Sequence, residues 1–242
     1  MSVVVKNPHS VLAALAKRPR DVRSVSVSSA AGETWAEVAD LARKNGIPVS
    51  SGGGGSRGRD SVNDGRVGTA SAEIREIEPK PIEELFPKSE IDPNEPALWL
   101  ALDCIQDPHN VGAIFRTAAF FGVKGILLTQ ERSSPMVGTV YDVASGGVEY
   151  VPFSVQVNLQ RSLEFAKDAG VWILGSSEHA KDKLSKIPVD RPWCLVLGSE
   201  EKGMRRLTQD LCDMVCTIPN QGGVTSLNVS VAAGVLISTL SR

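Results

Sequence analysis

Short, almost continuous apolar segments that alternate with helical segments constrain the fold of this chain more than any other feature of its sequence. From residue 97 onward, β-strands are predicted at 98–102, 125–129, 171–175, 194–198 and 214–218. Helices are predicted at 111–121, 159–169, 207–213 and 227–240. Strands that are apolar on both faces are typical of a parallel sheet covered by helices on each side. The sequence therefore predicts an α/β domain built on a parallel sheet.

The first 80 residues show a second, smaller α/β pattern. Strands are predicted at 3–5, 22–27 and 72–77, and a further strand begins at 47–49. Helices are predicted after the cap-and-proline pair Asn7-Pro8 and at 33–44. Residues 79–96 are rich in proline and charge, which is typical of an interdomain linker. We therefore predict a small domain at 1–78, a linker at 79–96 and a larger domain at 97–242.

The composition is that of an ordinary globular protein, since 42% of the 242 residues are hydrophobic and the net charge is −2. No apolar run approaches the roughly 18 residues that a membrane span needs, and the N-terminus lacks the pattern of a signal peptide. We therefore expect a cytoplasmic protein with no membrane partner. The four cysteines fit no metal or redox spacing, so we expect free thiols and no metal site. They are Cys104, Cys194, Cys212 and Cys216.

Three segments carry small or polar residues at points where a predicted strand has ended. They span residues 110–116, 198–203 and 218–231. The carboxyl ends of parallel strands meet at one edge of a sheet. We therefore expect the exposed backbone groups of the three segments to converge at that edge on a shared ligand.

Each segment also has an interpretation that needs no ligand. Asn110 and Ser226 are candidate N-caps of the helices that follow them. Arg116 lies in an otherwise apolar stretch, where its guanidinium either forms a structural ion pair or contacts a phosphate. The second segment lacks the paired glycines of a dinucleotide fingerprint, and the chain has no Gly-x-Ser-x-Gly elbow. These absences argue against a Rossmann dehydrogenase and a serine hydrolase.

Together the three segments resemble the signature motifs of the SpoU/TrmH family of RNA ribose 2′-O-methyltransferases, within the SPOUT superfamily. They are similar to Asn-x-Gly-x-x-x-Arg, to Gly-x-Glu-x-x-Gly and to Ile-Pro…Ser-Leu-Asn-Val-Ser-x-Ala. The residues in register are Asn110, Gly112, Arg116, Gly198, Glu200, Gly203, Ile218, Pro219, Ser226, Leu227, Asn228, Val229, Ser230 and Ala232. The resemblance covers residues 97–242, and residues 1–80 resemble more weakly the family's L30e-like substrate-binding domain.

The resemblance implies a SPOUT α/β trefoil-knot domain with a parallel sheet, a small N-terminal α/β L30e-like domain that binds RNA, and a homodimer. It implies S-adenosyl-L-methionine as cofactor and no metal. Cofactor contacts are implied for Gly198, Gly203, Ile218, Pro219 and Leu227. Catalytic-site roles are implied for Asn110, Arg116, Glu200, Ser226 and Asn228. The resemblance assigns the base to the position of Arg116, but a guanidinium is a poor base, so we expect Arg116 to clamp a phosphate and orient the ribose hydroxyl.

The expected substrate is a guanosine of large-subunit (23S) rRNA. The alternatives are a tRNA ribose and a non-catalytic RNA- or ribosome-binding protein. The two-domain layout favours rRNA, because the family's tRNA enzymes lack an L30e-like front domain. Residues 1–80 carry three more basic than acidic side chains, which places the attraction for phosphates in the small domain. Its glycine-rich segment 50–58 is expected to be a mobile loop or, alternatively, a loop that becomes ordered on RNA.

Overall fold

The computed structural model describes residues 1–28, 31–51, 70–199 and 201–241, which form two β-sheets with helices packed against them. The strands are β1 (Ser2–Val5), β2 (Val22–Val27), β3 (Val49–Ser51), β4 (Ser71–Arg75), β5 (Ala97–Asp103), β6 (Gly125–Thr129), β7 (Phe153–Gln156), β8 (Trp172–Ser176), β9 (Asp182–Lys183), β10 (Pro192–Gly198) and β11 (Met214–Thr217). The helices are α1 (Pro8–Lys17), α2 (Glu33–Lys44), α3 (Ile82–Leu85), α4 (Pro108–Phe120), α5 (Gly138–Ala144), α6 (Leu159–Asp168), α7 (Arg206–Asp210) and α8 (Val229–Leu240). Short 3₁₀ turns lie at Pro19–Asp21, Gly147–Glu149 and Leu184–Lys186.

The larger sheet has seven strands in the order β7-β6-β5-β10-β8-β11-β9, and every pair is parallel. This confirms the predicted α/β class with a parallel sheet. Successive side chains of β5 point to opposite faces, so Leu100 packs on the side of α4 and α8 and Trp99 on the side of α6. The sequence analysis missed β7 and β9, because β7 interrupts its apolar residues with serine and glutamine and β9 has only two residues.

The smaller sheet has the order β1-β4-β2-β3, and α1 and α2 belong to the same unit. Strand β4 runs antiparallel to both of its neighbours, whereas β2 and β3 are parallel. Residues 52–58 of the glycine-rich segment lie outside the described residues. Within the described part of the chain, no helix has the length and apolar character that crossing a membrane would require.

The proline-rich segment between the sheets is packed against the larger sheet. Leu85 and Phe86 are buried, and the indole Nε1 of Trp99 donates a hydrogen bond of 2.8 Å to the carbonyl of Leu85. The backbone N–H of Lys80 donates to the carbonyl of Phe153 at 2.7 Å. The predicted linker therefore follows a fixed path, and the domain boundaries at 78 and 97 stay a prediction.

Two of the predicted helix caps are wrong. Helix α4 begins at Pro108, and the side chain of Asp107 caps it by accepting from the N–H of His109. Asn110 therefore lies inside the helix. Helix α8 is capped by Asn228, whose side chain accepts from the backbone of Ser230, so Ser226 lies before the cap. The pattern of an Asx residue before proline, which correctly marked the start of α1, also marks the start of α4.

The small unit is joined to the larger one through α5 and the turn Gly147–Glu149. The backbone N–H groups of Lys6 and Asn7 donate to Asp142 Oδ1 at 2.6 and 2.8 Å. The hydroxyl of Ser10 donates to the carbonyl of Tyr141 at 2.6 Å. Apolar residues of the smaller sheet and of one face of the larger sheet belong to the same buried cluster. The two units therefore share a core in addition to these polar contacts.

We predict that Gly112→Ala destabilises the protein by about 1–3 kcal/mol because it overpacks the contact between α4 and α5. A Cβ at residue 112 would lie 2.7 Å from Val143 Cβ and 2.8 Å from the carbonyl oxygen of Val140. The measurement is the midpoint of urea unfolding followed by circular dichroism.

Gly32→Ala, just before α2, is the matched control, since a Cβ there meets nothing within 4 Å. This control is expected to destabilise by only about 0.5 kcal/mol, the difference between glycine and alanine at a helix N-cap. Equal midpoints for the two variants would contradict the packing explanation.

Candidate functional site

A cavity of about 620 Å³ opens at the carboxyl edge of the larger sheet. Its walls are the segments that follow three neighbouring strands, β8, β10 and β11. They comprise residues 176–179, 197–199, 201–204 and 217–227. The start of α8 closes one side through Val229 and Ala232. The second and third motif segments therefore meet at one edge, as the sequence analysis expected from strand direction.

Every residue for which the resemblance implied a cofactor contact lines this cavity. These residues are Gly198, Gly203, Ile218, Pro219 and Leu227. Ser226, which was assigned to the catalytic site, lines the cavity as well. Residues 176–179 also line the cavity, and they were not predicted from the sequence, although they follow a predicted strand of the same sheet and therefore lie at the same edge.

The turn after β10 requires glycine at both ends. Ser199 and Gly203 exchange backbone hydrogen bonds of 3.1 and 2.8 Å, which folds the turn back on itself. A Cβ on Gly198 would overlap the backbone of Gly203 and Met204. Gly203 has φ +63°, a left-handed conformation that side chains other than glycine rarely adopt. Glu200, between them, lies outside the described residues.

An ion pair between a buried carboxylate and a partly exposed arginine anchors this turn to the sheet. The side chain of Asp103, at the end of β5, is fully buried and accepts from Arg205 Nε at 2.6 Å and from the backbone N–H of Arg205 at 3.0 Å. A buried carboxylate is costly without such partners. Asp103 was not predicted as a site residue. Its position could have indicated its role, because it is a carboxylate at the end of an otherwise apolar strand.

The first and third motifs meet through their asparagines. Asn228 Nδ2 donates to Asn110 Oδ1 at 3.0 Å, which joins the start of α8 to α4. The Oδ1 of Asn228 accepts from the N–H and the hydroxyl of Ser230 at 2.9 and 2.6 Å. Asn228 stands between two residues that line the cavity, Leu227 and Val229. The asparagine pair therefore lies directly beside the cavity wall.

Arg116 is exposed on α4, six residues after Asn110, and is not one of the cavity-lining residues. Over the described ranges, no hydrogen bond or ion pair to its guanidinium is found. Its backbone is closely packed, since a Cβ on Gly147 would lie 2.9 Å from Arg116 Cα. Of the two alternatives for this residue, the structural ion pair is therefore not seen among the described residues. The guanidinium remains accessible to a ligand.

The cysteines are unsuited to nucleophilic chemistry. All four are free thiols, and two of them, Cys194 and Cys216, are buried. Burial raises the pKa of Cys212 to about 12 and that of Cys216 to about 11, so both are protonated at neutral pH. In the described part of the chain, no group of three or more His, Cys, Asp and Glu side chains is arranged to hold a metal ion.

Comparison with known proteins gives the same assignment for most of the chain. Residues 97–238 match the model of the SpoU rRNA Methylase family. The 23S rRNA (guanosine-2′-O-)-methyltransferase RlmB of Nitrosomonas europaea is 46% identical over 143 residues, which are 59% of this chain and 55% of that protein. RlmB of Pseudomonas aeruginosa is 35% identical over 241 residues, which are 97% of this chain and 94% of that protein.

A solved structure shows the same architecture. The SpoU methyltransferase AviRb from Streptomyces viridochromogenes, in complex with the cofactor AdoMet, superposes with a TM-score of 0.76. The match covers 100% of this chain and 89% of the other, at 18% identity, so it establishes the fold. Since the family model spans more than half of the residues and one relative aligns nearly end to end, the chain belongs to the SpoU rRNA methylase family.

Proposed function

We propose that this protein transfers a methyl group from S-adenosylmethionine to a ribose 2′-hydroxyl of RNA, and that its substrate is a guanosine of 23S rRNA. The observation that supports this most directly is the convergence of the second and third motif segments on one cavity, beside the Asn110–Asn228 pair. The names of the two RlmB relatives support the substrate. We further propose that the protein works in the cytoplasm.

The cavity suits S-adenosylmethionine in size and in lining. Its volume of about 620 Å³ lies within the range of roughly 300–1,000 Å³ that is typical of small-molecule sites. The absence of a side chain at Gly198 lets the turn fold back against the end of β10, which shapes this wall of the cavity. We propose that backbone groups of Gly198, Ile218 and Leu227 hold the adenosine moiety, while Gly203 and Pro219 shape the wall. When bound, the cofactor supplies an electrophilic sulfonium methyl group.

The reaction requires a weakly acidic ribose hydroxyl to be oriented and deprotonated. Arg116 is exposed and carries a permanent positive charge, so it suits a phosphate of the RNA backbone. We propose that it clamps this phosphate and orients the adjacent 2′-hydroxyl for in-line attack. We propose that Asn110 and Asn228 fix the first and third motifs relative to each other, and that Ser226 and Glu200 help to position the ribose.

Two further candidates differ in substrate or in chemistry. A tRNA ribose would need the same cavity and the same Arg116, so the methyl-transfer site by itself does not select between RNAs. A non-catalytic RNA-binding protein would not need a cavity of cofactor size. The end-to-end match to a relative named for 23S rRNA favours the first candidate.

We also propose that the protein is a homodimer that associates through α8. Val231 and Val235 are 53% and 40% exposed and lie four residues apart, so they form an apolar stripe on one face of α8. Leu227, which precedes the N-cap Asn228, is 52% exposed. Val235 also lines a shallow groove with Ile187 and Val189. Because an apolar stripe on a monomer is often an interaction surface, a second copy is a suitable partner for it. Leu227 also lines the cavity, which would place the interface next to the site.

The proposed function predicts, first, that the purified protein transfers a tritiated methyl group from S-adenosylmethionine to unmodified 23S rRNA, giving 2′-O-methylguanosine. Purified tRNA serves as the parallel substrate, and mass spectrometry of nuclease digests identifies the nucleoside. Label confined to tRNA would replace the proposed substrate by the second candidate. Label in neither pool would rule out the enzyme.

The second prediction concerns Arg116→Ala, which should lower the single-turnover rate by at least about 100-fold, because an oriented charge at the reacting group is lost. Calorimetry should give an S-adenosylmethionine affinity close to that of the wild type, since Arg116 is not among the cavity-lining residues. Arg161→Ala, an exposed arginine on α6 across the sheet, is the matched control and should retain full activity. A normal rate for Arg116→Ala would remove this residue from the mechanism.

The third prediction is that Val231→Glu converts the dimer into a monomer, because a carboxylate cannot be buried without a partner. Light scattering after gel filtration measures the mass. Val157→Glu changes a valine that is 75% exposed between β7 and α6, and it should leave the mass unchanged. A monomeric wild type, or a dimeric Val231→Glu variant, would refute the proposed interface.

A further inference from the structure

We infer that the 3₁₀ turn Gly147–Glu149 sets the position of Arg116, and that Glu149 and Arg18 act as positioning residues for methyl transfer. Arg18 belongs to the small unit, so the inference links that unit to the rate of the reaction as well as to RNA binding. It rests on the proposed role of Arg116. The evidence is a chain of contacts from Arg18 through Glu149 and Gly147 to the backbone of α4.

The first link is a direct backbone contact between the turn and α4. A Cβ on Gly147 would lie 2.7 Å from the carbonyl oxygen of Phe115 and 2.9 Å from Arg116 Cα. These are backbone atoms, which cannot rotate away as the end of a flexible side chain can. The distance between the turn and α4 is therefore fixed. A displacement of the turn therefore shifts the part of α4 that carries Arg116.

The second link holds the other side of the turn. Arg18 Nε lies 2.7 Å from Glu149 Oε2 and Arg18 Nη2 lies 2.8 Å from Glu149 Oε1, a two-pronged pairing that fixes direction as well as distance. The side chains of Glu149 and Arg18 are only 3% and 16% exposed. Arg18 Nη1 also donates to the carbonyl of Arg75 at 2.6 Å, which ties the pair to β4 of the small unit.

A third contact fixes the residue before the turn. The N–H of Gly146 donates to the hydroxyl of Ser10 at 3.0 Å, and the same hydroxyl donates to the carbonyl of Tyr141. Helix α1 and its C-cap residue thus hold the turn at both ends, through Ser10 and through Arg18. The small unit forms one wall of a clamp, α4 forms the other, and the turn is held between them.

Arg116 depends on this clamp because its guanidinium has no hydrogen-bond or ion-pair partner within the described ranges. The location of its side chain is therefore set by the backbone of α4 rather than by neighbouring polar groups. A misplacement of a reacting group by about 1 Å can lower a rate by about 100-fold. Loosening the clamp should therefore lower kcat, whereas a small unit that only binds RNA would change KM alone.

The experiment compares Glu149→Gln, Arg18→Gln and Gly147→Ala with the wild type, using full-length protein, 23S rRNA and S-adenosylmethionine. The first two variants remove the charge on one side of the pair, and the third inserts a methyl group between the turn and α4. We expect single-turnover rates at saturating RNA to fall by about 10- to 100-fold in each variant. The affinity for S-adenosylmethionine, measured by calorimetry, should stay unchanged.

The control is Lys167→Gln, which removes the Lys167–Asp213 ion pair on the other side of the sheet. This variant should keep the wild-type rate.

Two further variants separate positioning from general stability. Arg18→Lys keeps the charge but cannot form the two-pronged pairing, so it should recover only part of the rate lost in Arg18→Gln. In an Arg116→Ala background, Glu149→Gln should lower the residual single-turnover rate by less than about twofold, because the two changes act through one group. Circular dichroism confirms that each variant is folded, and Gly147→Ala replaces any charge variant that is not.

The inference is overturned if Glu149→Gln and Gly147→Ala keep the wild-type kcat and change only KM for RNA. It is also overturned if Glu149→Gln lowers the rate equally with and without Arg116. Both outcomes can be measured only if the wild-type protein is active. A wild type that transfers no methyl group to any RNA contradicts the proposed function instead.

Discussion

A fully buried carboxylate at the end of β5, beside the central strand β10, organises the edge of the sheet where the site lies. Asp103 pairs in register with Gly198 on the neighbouring strand, and Arg205 reaches back to neutralise it. Because an unpaired charge at this depth would be strongly unfavourable, the chain after β10 must return over the strand end. The return is tight enough that only glycine fits at residue 198. The Asp103–Arg205 ion pair therefore fixes the position of this cavity wall, although Asp103 itself does not line the cavity.

Helix α4 is the second organising element, because it contacts three other parts of the molecule. Gly112 allows α5 to approach closely, Asn110 binds Asn228 at the start of α8, and Gly147 lies against Arg116. Two of the three first-motif residues therefore have a structural reason for their identity. Arg116 is the exception, since no contact among the described residues explains an exposed arginine at that place. A residue whose identity has no structural reason is a strong candidate for contact with the substrate.

The small unit is attached by a network of hydrogen bonds and by a shared apolar core. This mode of attachment differs from that of a domain on a free tether, because α1 lies against the same turn that supports α4. An RNA bound across both units would therefore meet surfaces with a fixed separation. Such a fixed separation would favour an RNA whose shape presents the target ribose at that distance from the small unit.

Local pattern in the chain was enough to predict the α/β class, five of the seven strands of the larger sheet and two of the segments that line the cavity, those after β10 and β11. These follow from the period of apolar residues, from glycine and from strand direction, which act over a few residues. The folded protein alone revealed the Asp103–Arg205 and Asn110–Asn228 contacts, whose partners are 102 and 118 residues apart. It also showed that Asp107 and Asn228 cap their helices, and that Arg18 clamps the turn beside Arg116. Strand order and helix packing decide which distant side chains meet, and no short window of sequence encodes them.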